Sequence, residues 1–374
     1  MEHLIALKSE CCHAPGNINE KTMQKVLFIV ILFLVSSCAI RHSPGNACCD
    51  GRDRLLQLRI DSVITTIKEN PDILVALVTI AEVDCGKVRS HKSFVRCGPG
   101  IYKDTLDLSN GLSIMPGAII ETATLAHMLE RYHVSLEKQI PTNHGLVDKH
   151  YLPRSETIKD YEYQTGEDSI SVRQAYLKSY SYLPYYFAQQ YLLSKEGYNT
   201  YVHDLYNYFL SEGHRSWVPT YGSDGFSDLM PYTVASGHSI FLTHKQMLNF
   251  YCMIANGGIR EGKRVISETT ADTLSSLLRD NVLMGAGYNL SKSTVPITGK
   301  PGYGIATSLT FAGTGAVNDE TLLKKTSFVG FYPSNNPKYA IAITLMNKNP
   351  QLLYGTLVMQ IVERIANGAS QHFR

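Results

Sequence analysis

Apolar residues along this chain recur with two periods, and the switches between them mark out its elements. Ile119, Ile120, Leu125, Met128 and Leu129 return at three- and four-residue spacing, which is one buried face of a helix. Pro116-Gly117 opens that helix, because proline's fixed φ suits a first turn and glycine lets the backbone bend into it. Ala118 and Glu121, three apart, are neighbours on its first turn. The run DILVALVTIAEV, Asp72–Val83, is continuous, apolar and β-branched, so it reads as a buried strand, with Asp84–Lys87 turning into a second short strand.

Further along, Val172–Leu193 carries an unbroken tyrosine- and leucine-rich helical pattern, and Thr200–Leu210 is another helical stretch. Thr243-His-Lys-Gln246 is a capping box ahead of Met247, Phe250, Tyr251 and Ile254, and Asn256-Gly257-Gly258 stops that helix. Ser267 opens a helix through Leu278. The period then drops to two. Pro296–Phe311, Lys324–Tyr332 and Lys338–Met346 read as strands, the last two joined by the Pro333–Pro337 turn, and Leu352–Ala366 closes the chain as a helix stopped by Asn367-Gly368. A hairpin, then helices, then antiparallel strands and a closing helix predict a sheet covered by helices plus a helical lobe.

Residues Met23–Cys38, MQKVLFIVILFLVSSC, have the form of a bacterial export signal: Lys25, an apolar run at Val26–Val35, and a lipobox-like Val35-Ser36-Ser37-Cys38. The run is short for a permanent membrane span. Cys38 is therefore expected to become a lipidated first residue, with 1–22 an upstream extension, 39–53 a linker and 54–368 the folded domain outside the cytoplasm. The whole chain, 374 residues with 44% hydrophobic content, is long enough for a large core. A formal charge of +2 gives no sign of a nucleic-acid surface. Cys85 and Cys97 flank the first hairpin, and an oxidising compartment permits a bridge between them, although spacing alone does not fix the pairing. Cys48, Cys49 and Cys252 read as inert. No cysteine or histidine spacing suggests a metal site, and no cofactor is expected.

The order of five stretches carries more than their periods. PGAIIE, ISVRQAYLKSYSY (Ile170–Tyr182), FLTHKQMLNFYCMIANGG (Phe241–Gly258), ITGKPGYG (Ile297–Gly304) and SFVGFYPSNNPKYAIAI (Ser327–Ile343) together resemble the transpeptidase domain of class B penicillin-binding proteins, the division-type enzymes of Bacteroides-like bacteria in particular. The resemblance runs from about Arg54 to Ile365. It implies an α+β fold of the serine β-lactamase/D,D-peptidase kind: an antiparallel sheet flanked by helices, with a mainly helical lobe.

The resemblance also implies three motifs in one cleft, and each is altered. At the family's serine nucleophile and lysine base, three residues apart, stand Ala118 and Glu121. Alanine offers no nucleophilic atom, and glutamate reverses the charge that the base supplies. The second motif, Ser-x-Asn, falls on Ser179-Tyr180-Ser181, where Ser181 replaces the amide; a serine making a local backbone bond is an equally good reading of Ser179. The third, Lys-Thr-Gly, matches Lys300-Pro301-Gly302, in which Pro301 removes a hydroxyl and a backbone donor. Another register puts Gly313-Thr314-Gly315 there without a lysine. Ser135-Leu-Glu-Lys138 and Ser334-Asn335-Asn336 match motif spacings but fall in a turn after the helix and in a hairpin loop.

These replacements imply a lipid-anchored homologue that has lost acyl transfer and serves the cell-wall machinery by binding or scaffolding. Lys300 and the backbone N–H groups of Ala118 and Tyr303, the family's oxyanion-hole positions, are the candidate binding groups for a peptidoglycan stem peptide or a β-lactam. Division or cell-wall synthesis proteins are the expected partners. The alternative is an active D,D-transpeptidase or carboxypeptidase with a non-standard nucleophile.

Overall fold

The computed structural model describes residues 50–96, 112–142, 168–209, 218–224, 226–306, 323–347 and 355–369. The expected export signal with Cys38, Cys48, Cys49, Cys97 and the Gly313–Gly315 register all lie outside the described residues. Cys85 is an exposed free thiol and Cys252 a buried one.

One five-stranded antiparallel sheet organises the rest. Its strands are β1 (Ile73–Glu82), β2 (Val88–Val95), β7 (Thr298–Ala306), β8 (Leu323–Tyr332) and β9 (Tyr339–Asn347), in the order β2-β1-β9-β8-β7. Alternation along β9 explains its position in the middle. Ile341, Ile343 and Leu345 pack to one face, while Ala340, Ala342 and Met346 pack to the other, and all are buried. The first face is covered by α1 (Asp50–Lys68), through Leu56, Ile60, Val63, Ile64 and Ile67, and by α9 (Gly355–Ala369), through Val358, Ile361, Val362 and Ile365. Helix α1 begins inside the stretch expected to be linker, and the sequence reading did not foresee it.

The second face carries the helical lobe. A 3-10 turn at Gly117–Ile120 leads into α2 (Glu121–Tyr132). The short ribbon β3 (Gln139–Pro141) and β4 (Ser169–Ser171) follows, then α3 (Val172–Leu177), α4 (Tyr182–Phe187) with a π turn at Ala188–Leu192, α5 (Lys195–Phe209), α6 (Met230–Ala235), α7 (His244–Ala255), a second ribbon of β5 (Ile259–Arg260) and β6 (Lys263–Arg264), and α8 (Glu268–Met284). Helix α7 starts at the expected capping box: Thr243 Oγ1 accepts from the Gln246 N–H at 3.2 Å, and Gln246 Oε1 accepts from the Thr243 N–H at 2.9 Å. Ser267 Oγ caps α8 by accepting from the Thr270 N–H.

Two expectations needed correction. The continuous pattern Val172–Leu193 is not one helix. It breaks at Ser179, whose φ of 53° is left-handed, and resumes at Tyr182. The expected stop at Asn367-Gly368 is also absent, since α9 runs through both. Asn367 is occupied laterally instead: its Oδ1 accepts from the Ser293 hydroxyl and the Val295 N–H, both at 2.9 Å.

The two motif look-alikes sit where their surroundings placed them. Ser135 Oγ accepts from the Glu137 N–H in the turn after α2, and Ser334 lies between β8 and β9, its hydroxyl bonded to that of Thr298. No helix among the described residues is long and apolar enough to cross a membrane.

Candidate functional site

Three of the positions singled out from sequence converge on one ammonium group. Lys300 stands on β7, opposite Val329 of β8, so it faces the helical lobe. Its side chain is 0% exposed. The Nζ donates to Ser179 Oγ at 2.5 Å and to the Tyr176 carbonyl at 3.1 Å, and lies 3.1 Å from Glu121 Oε2. It also sits 4.4 Å from the centre of the Tyr176 ring. A lysine ammonium has three donors and no acceptor, and here three acceptors surround it. Burial lowers the Lys300 pKa, and the Glu121 carboxylate opposes that shift.

The local sequence explains each placement. Glu121 is the first residue of α2, 5% exposed, where the helix dipole favours an acid. Ser179 reaches the ammonium because its left-handed φ turns the chain there, held by the Tyr180 N–H to the Ala175 carbonyl. Tyr176 is fixed from beneath, its hydroxyl 2.8 Å from Thr122 Oγ1, which also meets the Tyr251 hydroxyl at 3.1 Å. Pro301 is accommodated because β7 is an edge strand.

The remaining candidates lie around this pair without joining it. Ala118 is half-buried on the 3-10 turn, and its carbonyl accepts from the Glu121 N–H. The turn is pressed against β7. A Cβ at Gly117, where φ is +61°, would come within 2.6 Å of the Tyr303 carbonyl oxygen, and one at Gly302 within 2.8 Å of Ile119 Cγ1, so both positions require glycine. Tyr303 contributes only backbone here. Its phenol reaches the start of α9, where a Cβ on Gly355 would meet the hydroxyl at 2.7 Å. Ser181 is half-buried at the start of α4 and makes no capping bond.

Two features beside the site were not read from sequence. Along the lobe-facing side of the sheet, hydroxyls and imidazoles form a chain: His91 Nδ1 to Thr79 Oγ1 (3.0 Å), Thr79 to His244 Nδ1 (3.1 Å), His244 Nε2 to Thr344 Oγ1 (2.9 Å) and Thr344 to Ser327 Oγ (3.0 Å). Ser327 pairs with Gly302, which brings the chain to the site. Burial pushes the His244 pKa down to about 3, with His91 and Lys325 adding to the effect. The second feature is Lys325 itself, 3% exposed on β8 and pushed by burial down to about 7. A surface pocket of about 230 Å³ lies at the far end of α2, lined by Glu130, Arg131, Asp204, Asn207, Tyr208 and Val265. Its Arg131 and Asp204 are bonded to each other at 2.7 and 2.8 Å.

Residues 113–367 match the family described as the penicillin binding protein transpeptidase domain. The chain belongs to that family. Solved transpeptidase structures share its fold. The transpeptidase domain of penicillin-binding protein 3 from Burkholderia pseudomallei aligns with a TM-score of 0.64 and 16% identity, over 89% of this chain and 98% of that one. The transpeptidase domain of the FtsI4 D,D-transpeptidase from Legionella pneumophila aligns at 0.57 and 17%, over 85% and 95%. A peptidoglycan glycosyltransferase from Burkholderia ambifaria aligns at 0.62 and 14%, over 87% and 96%. No curated protein matches the chain. The antiparallel sheet with its helical lobe is thus the penicillin-binding transpeptidase architecture that the five ordered stretches implied.

Proposed function

We propose that this family member does not acylate, and that it serves the peptidoglycan machinery by binding or scaffolding. The observation that carries the reading is the closed ion pair. Acyl transfer in this fold needs a hydroxyl with an amine free to take its proton. Here the turn offers the methyl group of Ala118. The amine at Lys300 donates to Ser179 and the Tyr176 carbonyl and is ion-paired with Glu121. The charge reversal at Glu121 neutralises the remaining lysine, so the core tolerates it without a substrate. Lys300 is accordingly buried against internal partners, and any retained ligand binding falls to other groups.

Incubating the purified protein with a fluorescent penicillin tests this reading. The expected result is no label after denaturing electrophoresis; a denaturation-stable adduct contradicts it and identifies the reacting residue.

The membrane tether is a separate part of the proposal and rests on the Val35–Cys38 sequence. The full-length protein is expected in the membrane fraction with a lipid-sized mass increment, and Cys38→Ser is expected to remove that increment. An unmodified wild-type protein contradicts the tether.

A further inference from the structure

Cys85 and Cys252 are the two thiols among the described residues, one exposed and one buried, and both lie where the sheet meets the helical lobe. Cys85 sits in the turn between β1 and β2. Asn249 and Cys252 on α7 and Asn256 at its end recur at helical spacing and so share one face, and that face meets the turn. Asn256 Nδ2 donates to the Val83 carbonyl at 2.8 Å. A Cβ on Gly86, where φ is +64°, would come within 2.9 Å of Asn249 Oδ1, so glycine lets the turn close onto the helix. Between these two contacts stands Cys252, 3% exposed, its thiol 3.9 Å from the Glu82 carbonyl oxygen. The same oxygen accepts the Gly86 N–H at 2.8 Å, which ties the residue next to Cys85 to the atom that Cys252 approaches. The Cys85 thiol donates to the other end of Glu82, its Oε2, at 3.4 Å.

The sequence leaves Cys85 with Cys97 as its expected partner and reads Cys252 as inert. The ladder separates the first pair. Arg96, which precedes Cys97, donates its N–H to the Leu74 carbonyl at the far end of β2 from the turn, and the eight residues of that strand span about 25 Å. A disulfide needs its two Cα atoms within roughly 7 Å. Cys252 is the thiol that the turn already faces, and the charge of Cys85 is felt there. Burial pushes the Cys252 pKa up to about 12, with Cys85 and Asp84 adding to the rise.

We propose that Cys85 and Cys252 form a disulfide that staples the β1–β2 turn to α7, and with it the sheet to the helical lobe. A rotation of Cys85 about its Cα–Cβ bond, away from Glu82, turns its sulfur towards the helix. The oxidant is a low-molecular-weight or protein disulfide. The exposed Cys85 thiolate attacks one of its sulfurs and releases the first thiolate, leaving a mixed disulfide. The Cys252 sulfur then attacks that of Cys85 and releases the second. The two cysteines give up two electrons to the external disulfide, and the two released thiolates take up their protons. Because Cys252 is buried and holds its proton, the second step is the slow one and speeds up as pH rises. That such an oxidant is encountered rests on the export reading of Val35–Cys38; the pairing itself rests on the geometry.

The test is incubation of the purified full-length protein with oxidised glutathione at pH 8.5, alkylation of the remaining thiols and tryptic mass mapping. The expected product is the linked pair of peptides 69–87 and 246–260, with a melting temperature on the order of 5 °C above that of the reduced protein. Cys85→Ser and Cys252→Ser are each expected to lose both the linked pair and the gain, and melting of the reduced variants confirms that they are folded. Glutathione retained on Cys85 with Cys252 still a thiol, a link from Cys85 to Cys97, or a gain in melting temperature that survives Cys85→Ser overturns the proposal. The membrane-fraction measurement above tests the export reading separately, because the oxidation is carried out on purified protein.

Discussion

At the level of single residues, the two lysines of the lobe-facing sheet surface show how context sets a charge. Burial lowers the pKa of both, but at Lys300 the Glu121 carboxylate opposes the shift, whereas Lys325 has no such partner among the described residues and is pushed down to about 7. The difference is measurable as stability. Between about pH 7 and the ordinary lysine value of 10.5, the unfolded chain holds a proton at position 325 that the folded chain lacks. Lys325 therefore makes stability rise with pH across that window. His244 acts likewise lower down: folding depresses its pKa from 6.5 to about 3, so its contribution is complete above 6.5 and is lost as pH falls towards 3. Urea unfolding at pH 7.5 and 9.5 should show wild type gaining stability relative to K325M. Parallel behaviour of the two proteins contradicts the assignment. Neither residue stands out in sequence, because Lys324-Lys325 reads as a solvated pair at a strand end and His244 as part of a capping box.

At the level of elements, local chemistry predicts starts better than interruptions. The α7 cap is the clearest case. Thr243 and Gln246 satisfy each other's N–H groups, and both are buried. Thr243→Ala is expected to cost about 1 kcal/mol, read as a lower urea midpoint with an unchanged slope; no shift contradicts the role of the cap. Helix α1 has a legible signal in the sequence: Leu56, Ile60, Val63, Ile64 and Ile67 follow the helical spacing, though with many β-branched residues among them. The break at Ser179 left none. A serine has no strong preference for the left-handed region, and it is held there by the Tyr180 N–H to Ala175 carbonyl bond together with the ammonium of Lys300, 121 residues away in sequence. Asn367-Gly368 resembles a helix stop on any local rule, and only the docking of Asn367 onto Ser293 and Val295 shows why α9 continues.

At the level of the whole molecule, the penicillin-binding transpeptidase fold places Lys300 of β7 against the start of α2. The five-stranded sheet, both covering layers and the approach of β7 to the Gly117 turn are all present. The sequence reading grouped Ala118, Glu121, Ser179 and Lys300, and the structure brings Glu121, Ser179 and Lys300 together, with Ala118 on the adjoining turn. It treated Glu121 as a loss, however, because motif comparison scores each position by itself. In three dimensions the Glu121 carboxylate is the ionic partner of Lys300, 3.1 Å away. Replacing either partner alone strands a charge in a dry site, a loss of roughly 3–5 kcal/mol, whereas replacing both removes the need for a partner.

A double-mutant cycle by urea denaturation at pH 7, with Glu121→Gln, Lys300→Met and the two combined, tests that claim most directly. The predicted result is two strongly destabilised single variants and a double variant that recovers much of the loss. Small single effects that simply add in the double variant would contradict it.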